Sequence, residues 1–182
     1  MRRVVWSRIF YSLALLLTLA TSGASTQSQP TGMPNRVEIT PRLVTSGQPS
    51  AEALARLAAT GFEAVIYLAP PTVSDAVRDE ALIVGKQGLV FVNLPIKFDS
   101  PTEKDFEAIT SVLSALSTRK VLVHCQINLR ASSMVFLHRV ISRKEDPRVA
   151  YEAVAKVWSP DGPWKKLMQA LLSKNGVNFE PY

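Results

Sequence analysis

The chain holds a single cysteine, and an arginine stands five positions beyond it in His124-Cys125-Gln126-Ile127-Asn128-Leu129-Arg130. A thiol and a guanidinium at this spacing are the parts needed for covalent chemistry on an oxyanion. A thiol becomes a nucleophile near neutral pH when nearby positive charge draws its pKa down. Arg130 offers a planar fork that matches two oxygens of a phosphate or sulfate at once. The flanking residues supply the rest of the field. Val121-Leu122-Val123 reads as a buried strand, and Arg130 opens an apolar helix expected over Ser132–Ile141. A cysteine between a strand end and a helix start faces unpaired N–H groups and the positive end of the helix dipole. Those N–H groups also hold oxyanions. The bland alternatives are a buried inert thiol for Cys125 and a surface ion pair for Arg130. A cation at a helix start opposes the dipole, which favours the anion-binding reading.

A leaving alkoxide needs a proton. The candidate donor is Asp99, in the Pro95–Pro101 loop behind an expected strand Leu89–Leu94. In a parallel sheet the loops at the carboxyl ends of strands gather along one edge, so this loop can overhang that of Cys125. An ordinary turn aspartate before Ser-Pro is the competing reading, and Asp105 is explained as a helix cap. His124 is expected to order the loop rather than move a proton, and Asn128 to take a left-handed backbone. His138 reads as core or rim. Trp158 and Trp164 read as packing for the C-terminal helices. Two histidines and one thiol, with no carboxylates at ligand spacing, argue against a metal site, and no cofactor is implied.

The elements that position these residues alternate. Val37–Val44 is extended and broken by Pro41; Ser50 caps a helix that Gly61 stops; Ala64–Leu68 is a buried strand ended by Pro70-Pro71. Thr72 and Asp75 have capping-box spacing for a helix through about Lys86. Thr102 and Asp105 cap another, with Phe106, Ile109, Leu113 and Leu116 at helical spacing. Asp146-Pro147 opens a third, and the break at Asp161-Gly162-Pro163 precedes a last amphipathic segment. Strands alternating with helices over short connections predict an α/β fold, a mostly parallel sheet with helices on both faces and extra helices at the C-terminus.

Residues 1–24 read as a secretory signal peptide: basic Met1-Arg2-Arg3 and Arg8, an apolar run Ile9–Ala20, and Ser22-Gly23-Ala24 as cleavage site. The apolar run falls short of the roughly twenty residues of a membrane span, so no stable span is expected after cleavage, with an uncleaved N-terminal anchor as the alternative. Residues 25–35 read as a disordered spacer and 36–182 as one domain. The expected location is periplasmic or secreted. The leader holds three of the 21 basic residues and none of the 15 acidic ones, so the remainder carries +3. A mild excess without a basic stripe gives no argument for nucleic acid as a partner, so none is expected, and it is compatible with a phosphorylated or other anionic substrate. A lone low-pKa thiol in an oxidising compartment is also expected to be accessible and readily oxidised.

The run from His124-Cys125 to Arg130 resembles the signature loop of the cysteine-dependent protein tyrosine and dual-specificity phosphatases. Thr45-Ser46-Gly47-Gln48-Pro49-Ser50, with the segments Ala51–Gly61 and Phe62–Leu68, is similar to the bacterial dual-specificity-phosphatase-like domain also found fused to a β-lactamase-like hydrolase. The likeness covers about Arg36 to Ile141. It implies a phosphatase-like fold and a phosphomonoester hydrolase in which Cys125 becomes a cysteinyl-phosphate, Arg130 holds the oxygens and Asp99 protonates the leaving group. The substrate-binding set it implies is His124, Gln126, Ile127, Asn128, Leu129 and Ser132. The loop departs from the family by one residue: four positions separate Cys125 from Arg130 where five are usual. Asn128 stands for a glycine, and Ala131 takes the hydroxyl position, with Ser132 one further on. One residue spans about 3.5 Å of chain, enough to change how many amides converge on an oxyanion. The four-residue gap resembles instead the loop of rhodanese-type sulfurtransferases, where the cysteine carries a persulfide. A sulfurtransferase and a catalytically silent anion-binding module therefore stand as alternatives.

Overall fold

The computed structural model describes residues 32–182; the expected signal peptide lies outside the described residues. The sheet has five strands in the order β1-β2-β5-β3-β4: β1 Val37–Thr40, β2 Leu43–Ser46, β3 Ala64–Tyr67, β4 Val90–Asn93 and β5 Val121–His124. Only the β1–β2 pairing is antiparallel. Strand β5 lies at the centre, with Ser46 of β2 and Tyr67 of β3 in register on either side of His124. Its residues are all buried, and alternation sends Leu122 to one face and Val121 and Val123 to the other.

The two faces differ in depth. The thinner is covered by α1 Ala51–Leu54 and α2 Glu80–Gly85, whose Leu54 and Val84 pack on Val44, Val65 and Leu122. The thicker is covered by α3 Glu103–Ala115, α4 Leu129–Leu137, α5 Pro147–Ala155 and α6 Gly162–Lys174. There Met134, Phe136, Tyr151, Trp164 and Met168 share a core with Val123. Helix α4 runs on into a π-type turn, His138–Ser142. Among the described residues no helix is long and apolar enough to cross a membrane.

The α/β architecture matches the expectation, C-terminal helices included, and several local expectations need correction. Pro41 does not merely break an extended segment; it turns a hairpin between β1 and β2. The helix expected over Thr72–Lys86 is only Glu80–Gly85, because the Asp75 carboxylate bonds Gln126 Nε2 (2.9 Å) instead of capping a helix. The site helix begins at Leu129, three residues early, which places Arg130 in its first turn. Residues 32–35, expected as spacer, belong to the fold: Met33 is buried, and Asn35 bonds Ile127 O and accepts from Asn128. The capping box of Thr102 and Asp105 and the double cap by Asp146 form as the spacing predicts.

Candidate active site

The loop Cys125–Asn128 leaves the central strand and turns directly into α4. Asn128 takes the left-handed backbone expected of it, φ 76°. Its side chain does not cap the helix; it reaches back to Asn35 O (2.6 Å) and Thr45 Oγ1 (3.1 Å). The first-turn amides of α4 are thus left for another acceptor. The segment after β2 lies against the loop. Cys125 N donates to Ser46 O (3.3 Å) and Gln48 N to Gln126 O (2.8 Å). Glycine is required at position 47, since a Cβ there would sit 2.8 Å from Gln126 O and 3.1 Å from Ile127 Cα.

Arg130 is almost wholly buried. Its Nε donates to Ile96 O (3.0 Å), its Nη1 to Gln126 Oε1 (3.3 Å), and its guanidinium lies over the Phe98 ring at 5.1 Å. Phe98 is propped in turn by Trp164, whose indole N–H donates to Phe98 O (2.8 Å). The loop after β4 therefore does overhang the cysteine loop. Asp99 itself is exposed, and its carboxylate accepts from Ser100 Oγ (3.1 Å).

Beneath the loop lies a buried polar chain. His124 Nε2 is 2.7 Å from Glu80 Oε1, and Gln48 Nε2 donates to Glu80 Oε2 (2.9 Å). The His124 ring stacks on Tyr67 with centroids 4.7 Å apart. Burial pushes the Tyr67 phenol up to about 12, with the negative charges of Glu80, Asp75 and Cys125 adding to it and Arg130 opposing. All four of those groups thus lie within electrostatic reach of one side chain.

The residues expected to bind substrate divide into two groups. Ile127 is exposed, and Gln126 and Leu129 are half-buried. The side chains of His124, Asn128 and Ser132 are buried, and Ser132 Oγ donates to Leu129 O (3.2 Å). Cys125, expected to be accessible, is fully buried, with the Gln126 side chain stretched between Asp75 and Arg130. Glu80, Tyr67 and Phe98 were not expected at the site, Gln48 was given no role there, and Asp75 was read as a cap. Only Gln48 carried a signal, as part of the Ser-Gly-Gln-Pro segment. Among the described residues no three His, Cys, Asp or Glu side chains converge as metal ligands would.

A central parallel strand that ends in His124 and leads through the Cys125 loop into a helix with Arg130 in its first turn, in a sheet of this order, is the architecture of a phosphatase-like domain of the protein tyrosine and dual-specificity class, here with the Cys-to-Arg spacing one residue short. The chain belongs to the family described as DSP-PTPase phosphatase fused to NAD+ kinase, whose model matches residues 20–166. It is 31% identical over 109 residues to a β-lactamase hydrolase-like protein of Xylella fastidiosa, covering 58% of this chain and only 25% of that relative. A solved DUF442 candidate phosphatase of Shewanella putrefaciens CN-32 is 27% identical, with a TM-score of 0.73 over 80% of this chain and 93% of its own. The P. aeruginosa protein TpbA, solved as a Cys-to-Ser form with phosphotyrosine, shares the fold at 19% identity, with a TM-score of 0.55 over 79% and 85% of the two chains.

Proposed function

We propose that the protein hydrolyses phosphomonoesters through a cysteinyl-phosphate on Cys125. The observation that carries this reading is Arg130, a buried guanidinium in the first turn of a helix whose amides are uncapped. A cation held there against the dipole is stabilised when an anion sits beside it. The incoming phosphate displaces Gln126 Oε1 from Arg130, freeing guanidinium donors and uncovering the thiol. The Cys125 thiolate attacks phosphorus, the P–S bond forms, and the P–O bond to the leaving group breaks. Water then attacks the cysteinyl-phosphate, breaking the P–S bond and releasing phosphate and thiolate.

The leaving alkoxide takes its proton from a carboxyl. Asp99, the donor expected from sequence, sits on the right loop, but Asp75 touches the cysteine loop itself through Gln126. That contact favours Asp75. The outcome expected is that Asp75→Asn slows turnover of an alkyl phosphate far more than of p-nitrophenyl phosphate, whose leaving group needs little protonation. Asp99→Asn showing that pattern instead would return the role to the loop after β4.

Ile127 on the cysteine loop and Phe98 on the loop after β4, both exposed, suit an aromatic or apolar group next to the phosphate, as in phosphotyrosine. The sequence pattern of residues 1–24 supports export to the periplasm, testable by cell fractionation. The deciding experiment pairs p-nitrophenyl phosphate hydrolysis with thiosulfate-to-cyanide sulfur transfer on reduced protein, wild type beside Cys125→Ser. Phosphate release that needs Cys125 is the expected result. Thiocyanate formation without phosphate release would establish the sulfurtransferase reading that the four-residue spacing favours.

A further inference from the structure

A pocket of about 230 Å³ opens at the far end of the sheet, where the parallel strands begin and where α3 and the turn after α4 finish. Helix α4 and its π-type turn together span Leu129–Ser142, so about 20 Å of helix separates this pocket from the Cys125 loop. Its floor is apolar, built from Ile39, Leu43, Leu113, Leu116 and Val121, and its rim carries Arg42, Arg119 and Arg143. A fourth arginine, Arg139, is already matched: it pairs with Glu145 at 2.7 Å and bonds Ala150 O at 3.1 Å. Glu145 is the one carboxylate in the lining, and among the described residues no carboxylate is bonded to Arg42, Arg119 or Arg143.

The wall adds an independent sign. His138 lines the pocket, is 6% exposed, and its Nδ1 is buried with no hydrogen-bond partner. A buried polar atom without a partner is uncommon in folded proteins. It also stands in the π-type turn, a distortion that recurs at functional sites. Arginines do gather at helix ends simply to meet the last carbonyls. Among the described residues none of the three rim guanidiniums makes such a bond, which sets that explanation against the geometry.

We propose that this pocket is a second anion site that binds a small phosphate dianion, free or carried on a short organic group. The forks of Arg42, Arg119 and Arg143 match phosphate oxygens bidentately, and Leu43 and Leu116 receive the organic part. The volume is below the roughly 300–1,000 Å³ of drug-sized sites, which limits the ligand to a small one. The site stands apart from the Cys125 loop and does not depend on the phosphatase reading.

His138 is the reporter. Burial first, then the Arg143 charge, lowers its pKa, with Glu145 opposing; Arg42, Arg119 and Arg139 share the lining. A bound dianion favours the imidazolium, so it raises that pKa. The chain has two histidines, and a His138→Gln variant assigns the signal. The test titrates the intact protein at fixed ionic strength with inorganic phosphate, phenylphosphonate and benzoate while following the His138 ring by NMR. Saturable shifts and a rise in His138 pKa are expected with phosphate or phenylphosphonate. Arg119→Ala combined with Arg143→Ala, both exposed positions, is expected to weaken that binding by about tenfold or more. Saturation by both probes makes the phosphate group the recognised feature, and saturation by phenylphosphonate alone makes it an organic phosphate. The proposal is overturned if neither probe saturates, if benzoate binds as well as they do, or if the arginine variant binds like wild type.

Discussion

The two faces of the sheet hold the cysteine loop by different means. On the thinner face the loop is held by polar contacts: Gln48 to Glu80 to His124, Asn128 to Thr45, and the close approach of Gly47 to Gln126. On the thicker face it is anchored by apolar packing of α4, with Met134, Val135 and Phe136 buried among α5 and α6. Packing is non-directional and supplies free energy roughly in proportion to area, whereas buried polar contacts fix orientation and are costly when left incomplete. The thicker face therefore sets whether the domain is folded. The thinner face sets where Cys125 and Arg130 point.

Variants that separate stability from turnover test this division. The largest effect expected is from Phe136→Ala, which removes a ring packed 5.3 Å from Tyr151 and 5.8 Å from Phe179. Denaturant unfolding should show a loss of about 4 kcal/mol. The molecules that remain folded should turn over normally, and a matching fall in their kcat would erase the distinction between the faces. Glu80→Ala strips the buried partner from His124 and Gln48 and should cost about 3 kcal/mol. Unlike Phe136→Ala, it should also depress kcat in the folded fraction.

Gly47→Ala sharpens the comparison, because its clash is with backbone and not with a flexible side chain. The expected stability loss is about 1 kcal/mol. Activity should suffer out of proportion to that, as the loop shifts away from Arg130. An alanine variant with full kcat would show that the loop tolerates displacement.

The smallest effect concerns Tyr67. Its phenol is raised in the folded state from about 10 to about 12. A group whose folded value lies above its unfolded one contributes stability that is complete below pH 10 and lost as pH rises through 12. Tyr67→Phe should flatten the alkaline end of a Tm-against-pH profile. An unchanged profile would mean that the phenol does not carry that loss.

What could be read from the sequence was local. The β-branched run before Cys125, the left-handed Asn128, the Thr102–Asp105 box and the Asp146-Pro147 start each depend on neighbours a few residues away. What could not be read depends on chain reversal. Glu80 meets Gln48 across 32 residues, and Asp75 meets Gln126 across 51. Asp75 shows why the local reading failed there: a carboxylate suited to cap a helix is equally suited to accept from an amide, and the tertiary partner won. The same reversal buries Cys125. The strand, arginine and helix around it were legible, but its burial depends on how the loop packs against the core.

Rapid acid quench of the reduced protein turning over p-nitrophenyl phosphate, followed by mass analysis of the peptide containing Cys125, tests the central claim most directly. A phosphate adduct on Cys125 is expected, absent from Cys125→Ser together with all turnover. Undiminished phosphate release by Cys125→Ser, or an adduct on any other residue, would contradict it.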